Sequence, residues 1–167
     1  MVKLPHPTSS KGVQPVNKKR QRWKPGDIVK IPLDDGEWGF GRVLGSPLVA
    51  FYDFKSNDIP LLEEIASKPI AFKIWVMKYA ITQGDFQVLG NIPLSPDLLE
   101  RPPFFIQDVL NGKLSITYEN GEQHTVSRQD VEGMECAAVW EPEHVIDRLT
   151  DHFAGRPNKW VEEMKPK

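Results

Sequence analysis

His144, Asp147 and Asp151 stand at i, i+3 and i+7 in the segment Glu-Pro-Glu-His-Val-Ile-Asp-Arg-Leu-Thr-Asp, residues 141–151. On a helix that spacing puts three side chains on one face, where an imidazole beside carboxylates can form an acid–base pair or hold a metal ion. A solvated polar face has the same spacing, and with no second cluster of ligands to answer it, the solvated face is the reading we favour. Other catalytic patterns are missing. The chain has no glycine-rich phosphate loop, no Gly-x-Ser-x-Gly elbow, no Cys-x-x-Cys pair and no His-Glu-x-x-His run. No catalytic residue, metal site or cofactor is expected, and the reading is that the protein is not an enzyme.

Carboxylates gather at two turns. Asp34, Asp35 and Glu37 surround Gly36, and Glu119 and Glu122 flank Asn120-Gly121. Acid-bearing hairpin tips can enter a basic cleft on another protein, although any soluble turn has a similar composition. Asp58, Glu63 and Glu64 are of the same kind. Of the five tryptophans, Trp75 and Trp140 sit in apolar runs and belong to the core, whereas Trp38 and Trp160 border turns and suit an interface anchor. The candidate contact set is therefore Asp34, Asp35, Glu37, Trp38, Glu119 and Glu122. Trp38, Phe40 and Phe51 offer a rival reading, as an aromatic groove for a peptide or nucleic acid. Arg101-Pro102-Pro103-Phe104-Phe105 reads as an extended connector. The lone cysteine, Cys136, reads as a small buried thiol.

These residues need a frame, and the pattern from Gly26 onward is that of strands. Ile28, Val29, Ile31 and Leu33 lead into the Asp34–Glu37 turn, and Trp38-Gly-Phe-Gly-Arg-Val-Leu returns. Gly39 and Gly41 alternate with bulky residues, which places them on one face and allows tight curvature or a close neighbour. A third strand runs from Leu48 to Phe54, a central one from Ile70 to Val76, and another from Phe86 to Ile92. Ser95-Pro96-Asp97 predicts one helical turn. Leu114–Tyr118 and Gln123–Val126 form a hairpin around Asn120-Gly121. Pro142 and Gly155 bracket a helix with the apolar stripe Val145, Ile146, Leu149 and Phe153. The expected fold is α+β, with a mostly antiparallel, curved or SH3-like barrel-type sheet and a C-terminal amphipathic helix. Residues 1–24 read as a basic flexible arm, 25–160 as one domain and 161–167 as a tail.

The 167 residues and 40% hydrophobic content suffice for one core without disulfides. No apolar run suits a signal peptide or a membrane span, so the cytoplasm is the expected location and no membrane partner is expected. The net charge of −2 hides an asymmetry. Residues 1–30 hold 8 Lys/Arg and 1 Asp, while residues 31–167 hold 13 Lys/Arg and 22 Asp/Glu. An acidic body repels nucleic acid and steers a basic protein toward itself. Lys18, Lys19, Arg20, Arg22 and Lys24 could touch phosphates, but a solvated linker is the simpler account of them.

Several stretches together resemble one family. They are Gly26-Asp27-Ile28-Val29-Lys30-Ile31-Pro32-Leu33, Trp38 to Arg42, Val49 to Asp53, Trp75 to Leu94, and Glu135 to Leu149. With these motifs the chain is similar to the immunity protein 26 family of bacterial toxin-neutralising proteins, over residues 25–160. The resemblance implies non-covalent binding of a cognate toxin in the producing cell, and it transfers no catalytic residue. Together with the acidic body, it leads us to expect a basic toxin partner, a nuclease. Oligomeric state is not legible in the sequence.

Overall fold

In the computed structural model, which describes residues 18–167, the chain opens with a meander of β1 (Asp27–Pro32), β2 (Trp38–Val43) and β3 (Leu48–Ser56). The helix α1 (Leu62–Ala66) then leads to β4 (Ile70–Val76), and α2 (Tyr79–Thr82) to β5 (Gln87–Asn91). After α3 (Pro96–Leu99) come β6 (Phe104–Gln107), β7 (Leu114–Thr117) and β8 (Gln123–Thr125). The two-residue β9 (Val139–Trp140), α4 (Pro142–Ala154) and α5 (Lys159–Glu163) close the chain.

The strands make two sheets, one of six strands in the order β5-β1-β2-β3-β4-β9 and one of three in the order β6-β7-β8. All pairings are antiparallel except β4 with β9. The expectation of a barrel-type sheet is corrected at the edges. Among the described residues β5 and β9 do not pair with each other, and the large sheet stays open. It is nevertheless bent, because its register shifts at Ile28/Val29, Gly39/Gly41 and Phe51/Tyr52, and each such bulge kinks a strand.

Alternation along the strands loads both faces of this sheet. Val29, Ile31, Val49, Phe51 and Ile74 point to the side covered by α4, while Ile28, Phe40 and Tyr52 pack with Ile65 of α1 on the other. The glycines of β2 let α4 come close. A Cβ at Gly39 would lie 3.3 Å from Leu33 and 3.4 Å from Leu149, so the predicted close neighbour is the apolar stripe of the final helix. That helix starts with Pro142 at its first turn and ends at Gly155 with φ 66°, as the sequence leads one to expect. Val145 and Leu149 are fully buried beneath it.

The same strand pattern buries Arg42. Its Nε donates to the Gly26 carbonyl at 2.9 Å, Nη1 to the Tyr52 hydroxyl at 3.1 Å, and Nη2 to the carbonyls of Ile92 and Pro93. A guanidinium satisfied by neutral oxygens ties the start of β1, the end of β2 and the segment after β5 into one unit. At the other margin of that unit, Gln21 bonds the Ile81 and Phe86 carbonyls and the Val88 amide, each at 2.8 Å, so residues near the predicted arm–domain boundary lie along β5. Lys18 pairs with Asp85; the rest of the predicted arm, residues 1–17, is outside the described residues. Residues 161–167, read as a tail, include the second half of α5. No helix among the described residues is long and apolar enough to cross a membrane.

Candidate functional site

The polar face of α4 is occupied. Against α4 lies the segment 156–160, where the His144 ring stacks on Trp160 with centroids 3.8 Å apart, and Asp147 accepts from the Trp160 indole at 3.0 Å. Asp151 accepts from Arg156 at 2.9 Å and from Asn158 at 2.9 Å. Asn158 in turn caps α5 by accepting from the Val161 amide. The line His144, Asp147 and Asp151 thus corrects the solvated-face reading. These side chains form a receptor for the C-terminal segment, the two carboxylates through hydrogen bonds and His144 through its ring. Trp160, proposed as an interface anchor, is held inside this contact. No group of three or more His, Cys, Asp or Glu among the described residues is arranged to hold a metal ion.

The aromatic groove also fails. Phe40 and Phe51 are fully buried and belong to different faces of the sheet, so with Trp38 they present no common surface. Trp38 is half-buried, with the Lys30 ammonium 4.0 Å from its ring centre.

The two acidic tips are built alike and charged differently. In the β1–β2 turn Gly36 takes φ 85°, the Glu37 amide bonds the Asp35 carboxylate at 2.9 Å, and the Asp34 amide reaches Thr150 of α4 at 3.3 Å. Lys55, from the end of β3, pairs with Asp35 at 2.8 Å and also with Glu37. Its hydrogen bond holds the Asp35 carboxyl below the ordinary carboxylate value, and both acids raise the lysine. In the β7–β8 turn Gly121 takes φ 81° and Asn120 accepts from the Glu122 amide at 3.0 Å. Glu119 meets Arg101 at 3.2 Å, and Glu122 faces only His124, at 3.6 Å. The Arg101 guanidinium lies directly against Gly45, just beyond the end of β2, whereas Asp34 precedes the start of β2. The tips therefore sit at opposite ends of that strand and do not form one patch.

Charge is distributed just as unevenly. Residues 18–103 hold 12 Lys/Arg against 11 Asp/Glu, and residues 139–167 hold 5 against 6. Residues 104–138, which contain the three-stranded sheet, hold 2 against 6. The net charge of the described chain, 19 against 23, thus resides entirely in this small module.

Two features of the module escape a reading of the sequence. The first is β6 itself, which pairs with β7 from Phe104↔Thr117 to Gln107↔Leu114 where a connector was expected. The second is the turn it makes with β7. Asn111-Gly112 between Phe104–Ile106 and Leu114–Ile116 is the hairpin signal that could have revealed it. At its crest Val109 is 100% exposed and Leu110 97%.

Between the module and the last two helices lies a cleft of about 890 Å³, walled by Phe105, Met134, Cys136, Trp140, Arg148 and Met164. Arg148 spans it to Glu135 with bonds of 3.1 and 2.5 Å. The indole nitrogen of Trp140 has no hydrogen-bond partner among the described residues. Cys136 is half-buried rather than enclosed, and burial, aided by the charge of Glu135, pushes its thiol pKa up, so it is a poor nucleophile. The arrangement offers shaped surface and charge, and it assembles no nucleophile with a base. A family model described as immunity protein 26 matches residues 24–115, ending before the Glu135–Leu149 stretch that also carried the resemblance. No curated protein and no solved structure matches the chain.

Proposed function

Since the chain belongs to the immunity protein 26 family and its role is therefore to neutralise a cognate toxin, we propose that the toxin is a basic nuclease domain held through acidic surface, in the cytoplasm of the producing bacterium. The observation that carries this reading is the concentration of negative charge in residues 104–138 on a body that is otherwise balanced. A nuclease active site is cationic because it binds phosphates, and an acidic protein surface complements it and accelerates encounter. Glu122, which faces only His124, and Glu119, which Arg101 meets, lie within the acidic module and form its contact; Asp34, Asp35, Glu37 and Trp38 form a second one, where Lys55 answers two of the three acids.

The test is to mix the purified chain with the polypeptide encoded by the adjacent reading frame and to titrate nuclease activity. Loss of activity at one-to-one stoichiometry supports the proposal. An adjacent product that neither binds nor is inhibited removes it. The association rate should fall as ionic strength rises, and a rate indifferent to salt would discard the electrostatic part.

A further inference from the structure

Val109 and Leu110 have no role in the fold. Their side chains touch no core cluster, yet the backbone beneath them is firmly held. The Asp108 carboxylate accepts from the Leu110 amide at 2.7 Å and the Asn111 amide at 3.1 Å, while the Asp108 backbone amide bonds the Lys113 carbonyl at 2.9 Å and the Gly112 amide the Asp108 carbonyl at 2.8 Å. Asn111 accepts from the Lys113 amide at 2.9 Å, and Gly112 takes φ 72°. The base of the turn is anchored as well. Gln107 donates to the Gly112 carbonyl at 3.1 Å and exchanges two bonds with Lys167, at 3.0 and 2.9 Å. Two adjacent apolar side chains are thus held in water on a backbone that is already ordered.

We propose that this β6–β7 tip is the anchor by which the chain grips its toxin, Val109 and Leu110 entering an apolar pocket of a basic toxin. The proposal rests on the toxin-neutralising reading above and names the contact within it. Ordering is the main cost of seating a loop in a partner, and here the turn's own hydrogen bonds have met it before encounter. Buried apolar anchors with a polar surround are the usual source of interface energy. The module that carries the tip is acidic as a whole, with 2 Lys/Arg against 6 Asp/Glu in residues 104–138, which favours a partner of opposite charge. The same charge argues against the other occupants. A second copy would bring two acidic modules together, and an anionic lipid surface would meet like charge. Elsewhere, Leu61 at 76% and Leu99 at 62% are exposed, and each is partly covered.

The experiment compares the full chain with the double variant Val109→Ser/Leu110→Ser and, as a control, Leu61→Ser/Leu99→Ser, each against the adjacent toxin. Because neither target side chain packs on anything, the double variant should melt with the wild type. Its complex should dissociate on the order of 100-fold faster, with the control unchanged. If the wild type binds and the double variant binds as tightly, or the control weakens equally, the anchor is overturned and the toxin reading stands. A wild type that does not bind the toxin overturns both. Sedimentation and flotation with vesicles of anionic phospholipid complete the test. Self-association or vesicle binding that is lost in the double variant would assign the tip to a second copy or to a membrane and overturn the proposal.

Discussion

The six-stranded sheet with α4 and the three-stranded module solve opposite problems with the same residue types. In the large sheet, charge is consumed internally. Arg42 is satisfied by neutral oxygens, Lys55 answers Asp35 and Glu37, and the acids of α4 hold the 156–160 segment. In the module, two strands and the helical turn Gln129–Val131 carry a small apolar cluster of Phe105, Leu114, Ile116 and Val131, β8 is exposed throughout, and most of the acids lie at exposed positions. Charge that folding uses is not available to a partner. An acidic count is therefore a poor guide to an interface until each acid's partner is known: Asp35 and Glu37 share Lys55, Glu119 has Arg101 and Glu135 has Arg148, while Glu122 faces only His124.

The division can be broken most forcefully from the body side. Leu149→Ala empties a fully buried site beneath Gly39 and should lower the unfolding free energy by about 3 kcal/mol in urea denaturation. Toxin affinity of the still-folded fraction should hold. An affinity that fell in step with stability would show that α4 is itself a contact.

Next in size is charge reversal in the module. Glu122→Lys with Glu132→Lys should slow association with the toxin roughly tenfold at low salt and leave the melting temperature unchanged. Stopped-flow rates at two ionic strengths decide it, and an unaltered rate would dissolve the contrast between the regions. The triple variant Asp34→Lys/Asp35→Lys/Glu37→Lys should slow association by less than about threefold, despite reversing more acids, because Lys55 already screens that tip. A larger loss there than in the module would invert the assignment.

The smallest effect sharpens the reason for the contrast. Asp35 is held below its ordinary 3.8 and Lys55 above its ordinary 10.5, so their pairing stabilises the fold between those values. It is lost as pH falls through the depressed carboxyl value or rises through the raised lysine value. The small melting difference between the wild type and Lys55→Met should be present at pH 7 and shrink as pH falls below the ordinary carboxyl value of 3.8. A difference that persisted in acid would mean that Lys55 acts through packing on Phe153, whose ring it overlies at 5.9 Å.

Local patterns carried much of the architecture. β1 to β3, the two Asn-Gly and Asp-Gly type turns read in advance, and α4 between Pro142 and Gly155 follow from alternation, turn residues and a helical stripe, all short-range properties. The misses have physical causes. β6 is four residues long and follows Pro102-Pro103, so its strand character is supplied by pairing with β7 and by the Phe105↔Cys136 bridge. The helices α1, α2 and α5 have four or five residues each, too short for a period to declare itself, and they exist because the sheet faces and α4 give them something to cover.

For the candidate contacts the line falls in the same place. Sequence alone determined which residues turn, which alternate, and that the body is acidic, since these depend on residue type and neighbours a few positions away. It also carried enough family pattern across residues 24–115 to name a role. Only tertiary structure decided which acids remain available. Asp35 meets a lysine 20 residues away, Glu119 meets Arg101, and His144 meets Trp160. Ion pairs and stacking act between groups that the fold brings within a few ångströms, and separation along the chain does not reveal that proximity.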